Sequence, residues 1–422
     1  MGSEMCIRDS EAAAQLRPRG RINIAGDINI DSQKADCPEF RLDIECLGNS
    51  FHIEQLPRLV ENVTGRIEIT TANVRLKNFR VPNIALDEHL AQIFPQDAAK
   101  VYKSFSPSGA VNLNIDEARF SRDSQDRTQI DLTGKVILID CGFGDIDRFG
   151  GMNGVLGLEA SYRTGEGLLA GSADLSASGL TIKGRILTDI HAAVVYDPED
   201  RTFVSRDFGA RFYGGRISGD AEMIRQESGK MRYYIETVFD GIEFGDMMNA
   251  GRPIPEAPVP IADKGLLGGS LNFQGIMATA DSRTGRLSIG VRDMQLARRS
   301  LLGKIIAAMQ LNNPTDYIFS EMSVDAFVKG SNLVFQDVYM SGESTVLLGK
   351  GRIDLTNGGL DLEFTSYGSV VTSRPSFLET LARGLGGAVV RVEVHGSVDQ
   401  PRIVTTHLPA LTTPFSIFGD GP

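Results

Sequence analysis

Few of the residues that usually carry site chemistry are present in this sequence. Cysteine occurs four times in 422 residues, at Cys6, Cys37, Cys46 and Cys141, and never as Cys-x-x-Cys. Cys37 and Cys46 would form a bridge if neighbouring strands brought them together, and buried free thiols fit the spacing equally well, so cysteine does not settle the compartment. Tryptophan is absent. The five histidines, His52, His89, His191, His395 and His407, show no metal-ligand spacing and read as ordinary surface or strand residues. No Gly-x-Ser-x-Gly elbow occurs, which removes the plainest sign of a nucleophilic hydrolase. Net positive charge is also missing. At −11 the chain has no general attraction to phosphate backbones, and a nucleic-acid partner is not expected. No apolar run reaches the roughly 18 residues of a membrane-spanning helix, and the opening residues do not form a signal peptide.

Phosphate and calcium motifs fail on inspection. Gly342 to Lys350 has the wrong spacing for a phosphate loop, with Gly351 where Ser or Thr is needed; Gly142-Phe143-Gly144 lacks a third glycine. Asp27-Ile28-Asn29-Ile30-Asp31 imitates a calcium loop but has Ser32 and Pro38 where Gly and Glu belong. Carboxylates are scattered on polar strand faces rather than paired.

What is present is alternation. Ile22, Ile24, Ile28 and Ile30 share one parity, while Arg21, Asn23, Asp27 and Asn29 hold the other. Residues two apart share one face of a strand, so this stretch has a dry side and a wet side. The pattern returns at Ile67 and Ile69, at Val111, Leu113 and Ile115, at Leu287, Ile289 and Val291, and at Val390, Val392 and Val394. Turn signals join such segments. Ile353 and Leu355 precede Thr356-Asn357-Gly358-Gly359, and Leu360, Leu362 and Phe364 follow; a second hairpin is expected at Lys329-Gly330-Ser331-Asn332. The 46 glycines suit many tight turns. Gly-Arg-Ile or Gly-Arg-Leu recurs at 20, 65, 184, 215, 285 and 351, with Gly134-Lys135-Val136 as a variant. It reads as a strand-opening unit in which glycine bends or bulges the backbone.

Three helices are expected: within Leu86 to Phe105, broken near Phe94-Pro95; over Arg299 to Asn312, with Leu302, Ile305, Ile306 and Met309 on one face; and over Ser376 to Leu385. Residues 1–10 follow no structural logic and read as a non-native leader before a truncated gene, whose targeting segment would then be missing. The expected organisation is a β-rich repeat segment over 11–250, a proline-rich linker over 251–264 and a C-terminal β domain over 265–422. The fold class is mainly β: an elongated, curled antiparallel sheet, groove-like, with a few short helices.

Pattern alone leaves two accounts of the dry faces. They form closed cores, the plainer account, or they line an open trough. Three stretches resemble the C-terminal region of AsmA-like proteins: Phe212-Tyr213-Gly214-Gly215-Arg216-Ile217-Ser218-Gly219; Leu301 to Gly368, with Gly349-Lys350-Gly351-Arg352-Ile353-Asp354-Leu355 before a hairpin; and Val390 to Pro401. The resemblance implies the bacterial bridge-like lipid-transfer superfamily and no catalytic residue, metal or cofactor. It implies an envelope protein whose apolar groove handles phospholipid, or another acyl-chain lipid, between inner and outer membranes. It also implies a periplasmic location, an inner-membrane tether absent from this chain, and inner- and outer-membrane protein partners. The expected groove residues are Ile22, Ile24, Ile28, Ile30, Leu287, Ile289, Val291, Ile353, Leu355, Leu360, Leu362, Phe364, Val390, Val392 and Val394. Each acyl CH₂ kept from water is worth about 0.8 kcal/mol. The competing expectation is a structural or assembly factor for outer-membrane biogenesis with a closed core; a polysaccharide-directed β-helix fits the irregular repeat spacing poorly.

Overall fold

The computed structural model describes residues 19–29, 39–52, 59–94, 96–123, 125–144, 149–182, 184–226, 228–249, 264–277, 279–296, 303, 305, 317–342, 345–368, 389–397 and 400–408. The protein is mostly β. Its twenty described strands belong to one antiparallel sheet that does not close on itself, with very few helices. Alternating sequence produces this result directly. A two-residue period gives every strand one face to bury and one to wet, and short polar turns let each strand pair with the next.

The chain divides into two units, Met1–Arg211 with Glu222–Arg225, and Phe212–Ala221 with Gln226–Pro422. The first unit runs β1 (Ile22–Asn29), β2 (Glu39–Phe51), β3 (Val60–Thr70), β4 (Asn73–Ala85), β5 (Pro107–Arg122), β6 (Thr128–Phe143), β7 (Phe149–Arg163), β8 (Gly167–Ile182), β9 (Arg185–Asp197) and β10 (Thr202–Phe212). Each strand from β1 to β9 pairs antiparallel with its sequence neighbour. Between β4 and β5 lie a 3-10 turn, Leu90–Ile93, and helix α1 (Gln96–Phe105). The break expected near Phe94-Pro95 is there: Phe94 is extended, at φ −85° and ψ 151°, as a residue preceding proline must be.

β11 (Gly215–Arg225) supplies residues to both units. The second unit continues with β12 (Met231–Glu243), α2 (Phe244–Asn249), β13 (Lys264–Ile276), β14 (Thr279–Leu296), β15 (Tyr317–Lys329), β16 (Asn332–Gly342), β17 (Thr345–Asp354), β18 (Gly359–Gly368), β19 (Val389–Ser397) and β20 (Pro401–Leu408). Pairing from β12 to β20 is again neighbour to neighbour. Both expected hairpins form, β15–β16 and β17–β18. The proline-rich stretch 251–263 lies outside the described residues. The strands flanking it, β12 and β13, pair with each other, and the division between units falls earlier, at Arg211/Phe212. Of the helix expected over 299–312, Gly303 and Ile305 are described, both helical. The helix expected over 376–385 lies outside the described residues. α2 was not expected; six residues are too short for a readable apolar period.

The Gly-Arg motif does not generally open strands. Gly65, Gly134, Gly285 and Gly351 sit inside β3, β6, β14 and β17. The register explains why glycine is there. At Gly65 the ladder steps from Thr64↔Arg80 to Arg66↔Lys77, so the neighbouring strand carries the extra residue. At Gly351 it steps from Phe335↔Gly351 to Val338↔Gly349. Gly65 thus faces a bulge instead of forming it, whereas Gly351 borders one and is pressed against the unshifted backbone of β18. Gly65 and Gly351 have φ of 134° and 143°, and a Cβ there would stand 2.6 Å from Phe79 Cα and 2.7 Å from Leu362 Cα. No other residue fits that close a backbone.

Candidate functional site

Residues directly opposite in an antiparallel ladder share a face. Followed across the first unit, the registers assemble apolar rows. One runs Ile24, Ile44, Ile67, Leu76, Ala118, Leu132, Ala160, Gly171 and Tyr196, one residue from each of β1 to β9. A parallel row includes Leu42, Ile69, Val74, Phe120, Ile130 and Tyr162; others run through Leu113, Val136, Leu156 and Leu175 and through Val111, Leu138, Gly154 and Ala177. From Ile130 to Leu138 on β6 the band measures about 26 Å along the strand, and nine strands extend it about 38 Å across.

On β2 to β6 the opposite face is charged. Glu45, Arg66, Lys77 and Glu117 face one another in turn, as do Asp43, Glu68, Arg75, Arg119 and Asp131. Lys77 Nζ donates to Glu68 Oε1 at 2.9 Å, and this bond holds the Glu68 carboxyl below its ordinary range. At the strand ends Arg127 donates to Asp123 and Glu166, and Arg163 to Glu166. The backbone N–H of Arg127, followed by its guanidinium, lowers the Asp123 carboxyl.

The apolar rows are mostly half-buried: Ile44, Ile67, Leu76, Leu132, Leu156 and Tyr162 keep part of their surface in solvent. Only in places does the face close, at Cys46, Val63, Ile115 and Ala118 and in a cluster of Val111, Cys141, Met152 and Ala177. That cluster lies among bulges that bend the strands, such as those between Val81/Ile84 and Leu138/Cys141. Phe143 packs on it and meets Phe105 of α1 edge-on at 6.4 Å. Tyr102 of α1 donates to the Asp87 carbonyl at 2.9 Å; burial, with the Asp87 charge, pushes its phenol up to about 12. Cys46 and Cys141 are buried free thiols, raised by burial. Cys37, the other half of the possible bridge, lies outside the described residues.

The equivalent face of the second unit is closed. Its rows, such as Ile289, Val324, Val338, Phe364 and Val392, lead into a core where Val291, Met294, Val392 and Val394 are fully buried. Phe244 of α2 belongs to this core, Met247 and Met248 pack against it, and Ile305 inserts at 1% exposure. The other face of β17 to β19 carries an ion ladder: Arg352–Asp361 at 3.3 Å, Arg391–Glu363 at 3.1 Å and Arg391–Glu393 at 3.2 Å.

The expected groove residues therefore fall in two settings. Ile22, Ile24 and Ile28 lie on the first unit's open face at 42%, 59% and 73% exposure; Ile30 lies outside the described residues. Val291, Leu360, Leu362, Phe364, Val390, Val392 and Val394 are buried in the second unit's core, with Leu287, Ile289 and Ile353 half-buried against it. Leu355 is 46% exposed in the β17–β18 turn, where its N–H donates to Ser331. The centre of the open face, Ile67, Leu76, Leu132 and Leu156, was missed as a site, although Ile67 already stood out by its alternation.

Two open depressions, of about 490 and 410 Å³, lie on β2–β4 beside Cys46, Arg66 and Lys77, and on β12–β14 beside Tyr234, Glu236 and Arg286. Among the described residues no group of three His, Cys, Asp or Glu is placed to hold a metal ion, and no helix is long and apolar enough to cross a membrane. Comparison with protein-family models, with curated proteins and with solved structures gave no match.

Proposed function

We propose that the chain is a non-enzymatic lipid-handling protein whose first unit holds acyl chains against its open apolar face. One observation carries this reading: an apolar row runs through nine consecutive strands, with shorter rows beside it on β2 to β8, and most of these side chains stay half-exposed while the reverse face of β2 to β6 is charged. Soluble proteins seldom leave so extended an apolar surface to water without a partner for it. Hydrocarbon suits the rows because they offer contact without converging polar groups. A band about 26 Å long exceeds the ~15 Å depth of one bilayer leaflet, so a lipid tail lies wholly within it. Weak contact repeated from row to row favours sliding over trapping. With the resemblance to AsmA-like proteins, this supports a reading in which the chain handles phospholipid between inner and outer membranes in the bacterial envelope, in the periplasm and tethered to the inner membrane, beside membrane-protein partners.

The closed core of the second unit favours a structural or assembly role for that part, which on this reading is a scaffold. The test is lipid extraction and native mass spectrometry of the purified chain, with Leu132→Asp and Leu156→Asp as variants. Co-purified lipid that both variants lose while remaining folded supports the proposal. A lipid-free chain that also fails to bind a fluorescent fatty acid rejects it and leaves the scaffold reading for both units.

A further inference from the structure

We propose that β1 is a self-pairing edge through which two copies of this chain associate, antiparallel about a two-fold axis at Gly26. The inference is independent of lipid handling.

Three observations carry it. First, β1 is paired on one side only. Its ladder with β2 runs through eight consecutive pairs, Ile22↔Cys46 to Asn29↔Glu39, without a shift. The sheet is not closed, and no register among the described residues occupies the other edge of β1. Second, apart from Asp27, this edge lacks the features that normally keep strand edges apart. It has no proline, lysine, arginine or bulge, and its isoleucines include the most exposed large apolar side chain among the described residues, Ile28 at 73%. The last strand differs, opening with Pro401 and Arg402. Third, the sequence from 22 to 30 reads Ile-Asn-Ile-Ala-Gly-Asp-Ile-Asn-Ile. It is the same in both directions about Gly26, apart from Ala25 against Asp27.

The third observation selects the occupant. A two-fold contact requires one patch to complement itself, and a palindromic strand does so residue by residue. With Gly26 on the axis, Ile24 faces Ile28 of the second copy on the apolar side, and Asn23 faces Asn29 on the polar side. Asp27 meets Ala25, so the single charge in β1 never meets its like. Glycine at the centre presents no side chain to the crossing. Because directly opposite residues share a face, the apolar rows continue from one copy into the next.

Sedimentation of the full chain over a concentration series tests this, and a concentration-dependent dimer is expected. Ile24→Lys with Ile28→Lys in one chain sets lysine against lysine twice and is expected to abolish the dimer. Ile24→Lys with Ile28→Glu sets opposite charges together in this register alone and is expected to restore it. Oxidation of a mixture of Ala25→Cys and Asp27→Cys chains is expected to give a disulfide-linked dimer that neither forms alone. Opposed Cα atoms stand about 4.5–5.5 Å apart, within the disulfide range, and both positions are exposed, so folding is not at stake. A wild-type chain that stays monomeric up to about 1 mM overturns the proposal. So does a dimer indifferent to the paired lysines, or one that the charge exchange and the cysteine mixture both fail to recover.

Discussion

Two residues show how much of this sheet rests on single side chains. Gly349 lies opposite Phe364 in the β17–β18 ladder and opposite Val338 in β16. A Cβ at 349 would stand 2.6 Å from the Phe364 ring, so the glycine is the space the ring occupies. Gly349→Ala is expected to cost about 1–3 kcal/mol by overpacking, read by chemical denaturation; adding Phe364→Leu should recover part of the loss, and a neutral Gly349→Ala would refute the account. Glu68 tests charge. Its pair with Lys77 holds its folded pKa below the ordinary value of 4.5, so the unfolded chain binds that proton more tightly. The pair's contribution is complete above that value and drains away as pH falls through the depressed folded one. Glu68→Gln is therefore expected to flatten the acid side of a stability-against-pH curve, and an unchanged acid side would sever the link.

At the scale of elements, what matters is what lies over a strand. Leu347 of β17 is 1% exposed in the second unit's core. Leu132 of β6 has the same chemistry and the same inward parity but stays half-exposed. Leu347→Ala is expected to cost about 2–5 kcal/mol and Leu132→Ala no more than about 1 kcal/mol, compared by denaturant unfolding. Equal costs would mean that the first unit's face is covered as fully as the core. The difference traces to what lies over the strands: α2 and Ile305 pack on the second unit's face, whereas among the described residues α1 meets the first unit's face where Phe105 stands against Phe143.

For the whole molecule the open face predicts a measurable partner effect. Anything that binds the folded chain and not the unfolded one raises its apparent stability, by about 2.7 kcal/mol at a hundred times its dissociation constant. Long-chain fatty acid or lysophospholipid below its micelle concentration is expected to raise the melting temperature of the wild type. Leu132→Asp should show a much smaller rise. If both shift equally, the ligand sits elsewhere.

Sequence by itself determined that this is a β protein with two-faced strands. Ile22, Ile24 and Ile28 against Asn23 and Asp27 specify a dry side and a wet side, and Asn357-Gly358 and Gly330 specify where the chain turns back. The break before Pro95 was equally legible, because it follows from the proline ring. Only the tertiary structure decided which dry faces close. Val390, Val392 and Val394 alternate just as Ile22 and Ile24 do, yet the first set lies in a sealed core and the second in solvent. A two-residue period records which side of a strand is apolar and carries no record of what is laid over that side. The motif glycines follow the same rule. Their recurrence was visible, but the neighbouring backbone that leaves no room for a Cβ at Gly65, Gly134, Gly285 and Gly351 is in place only once the ladder has formed.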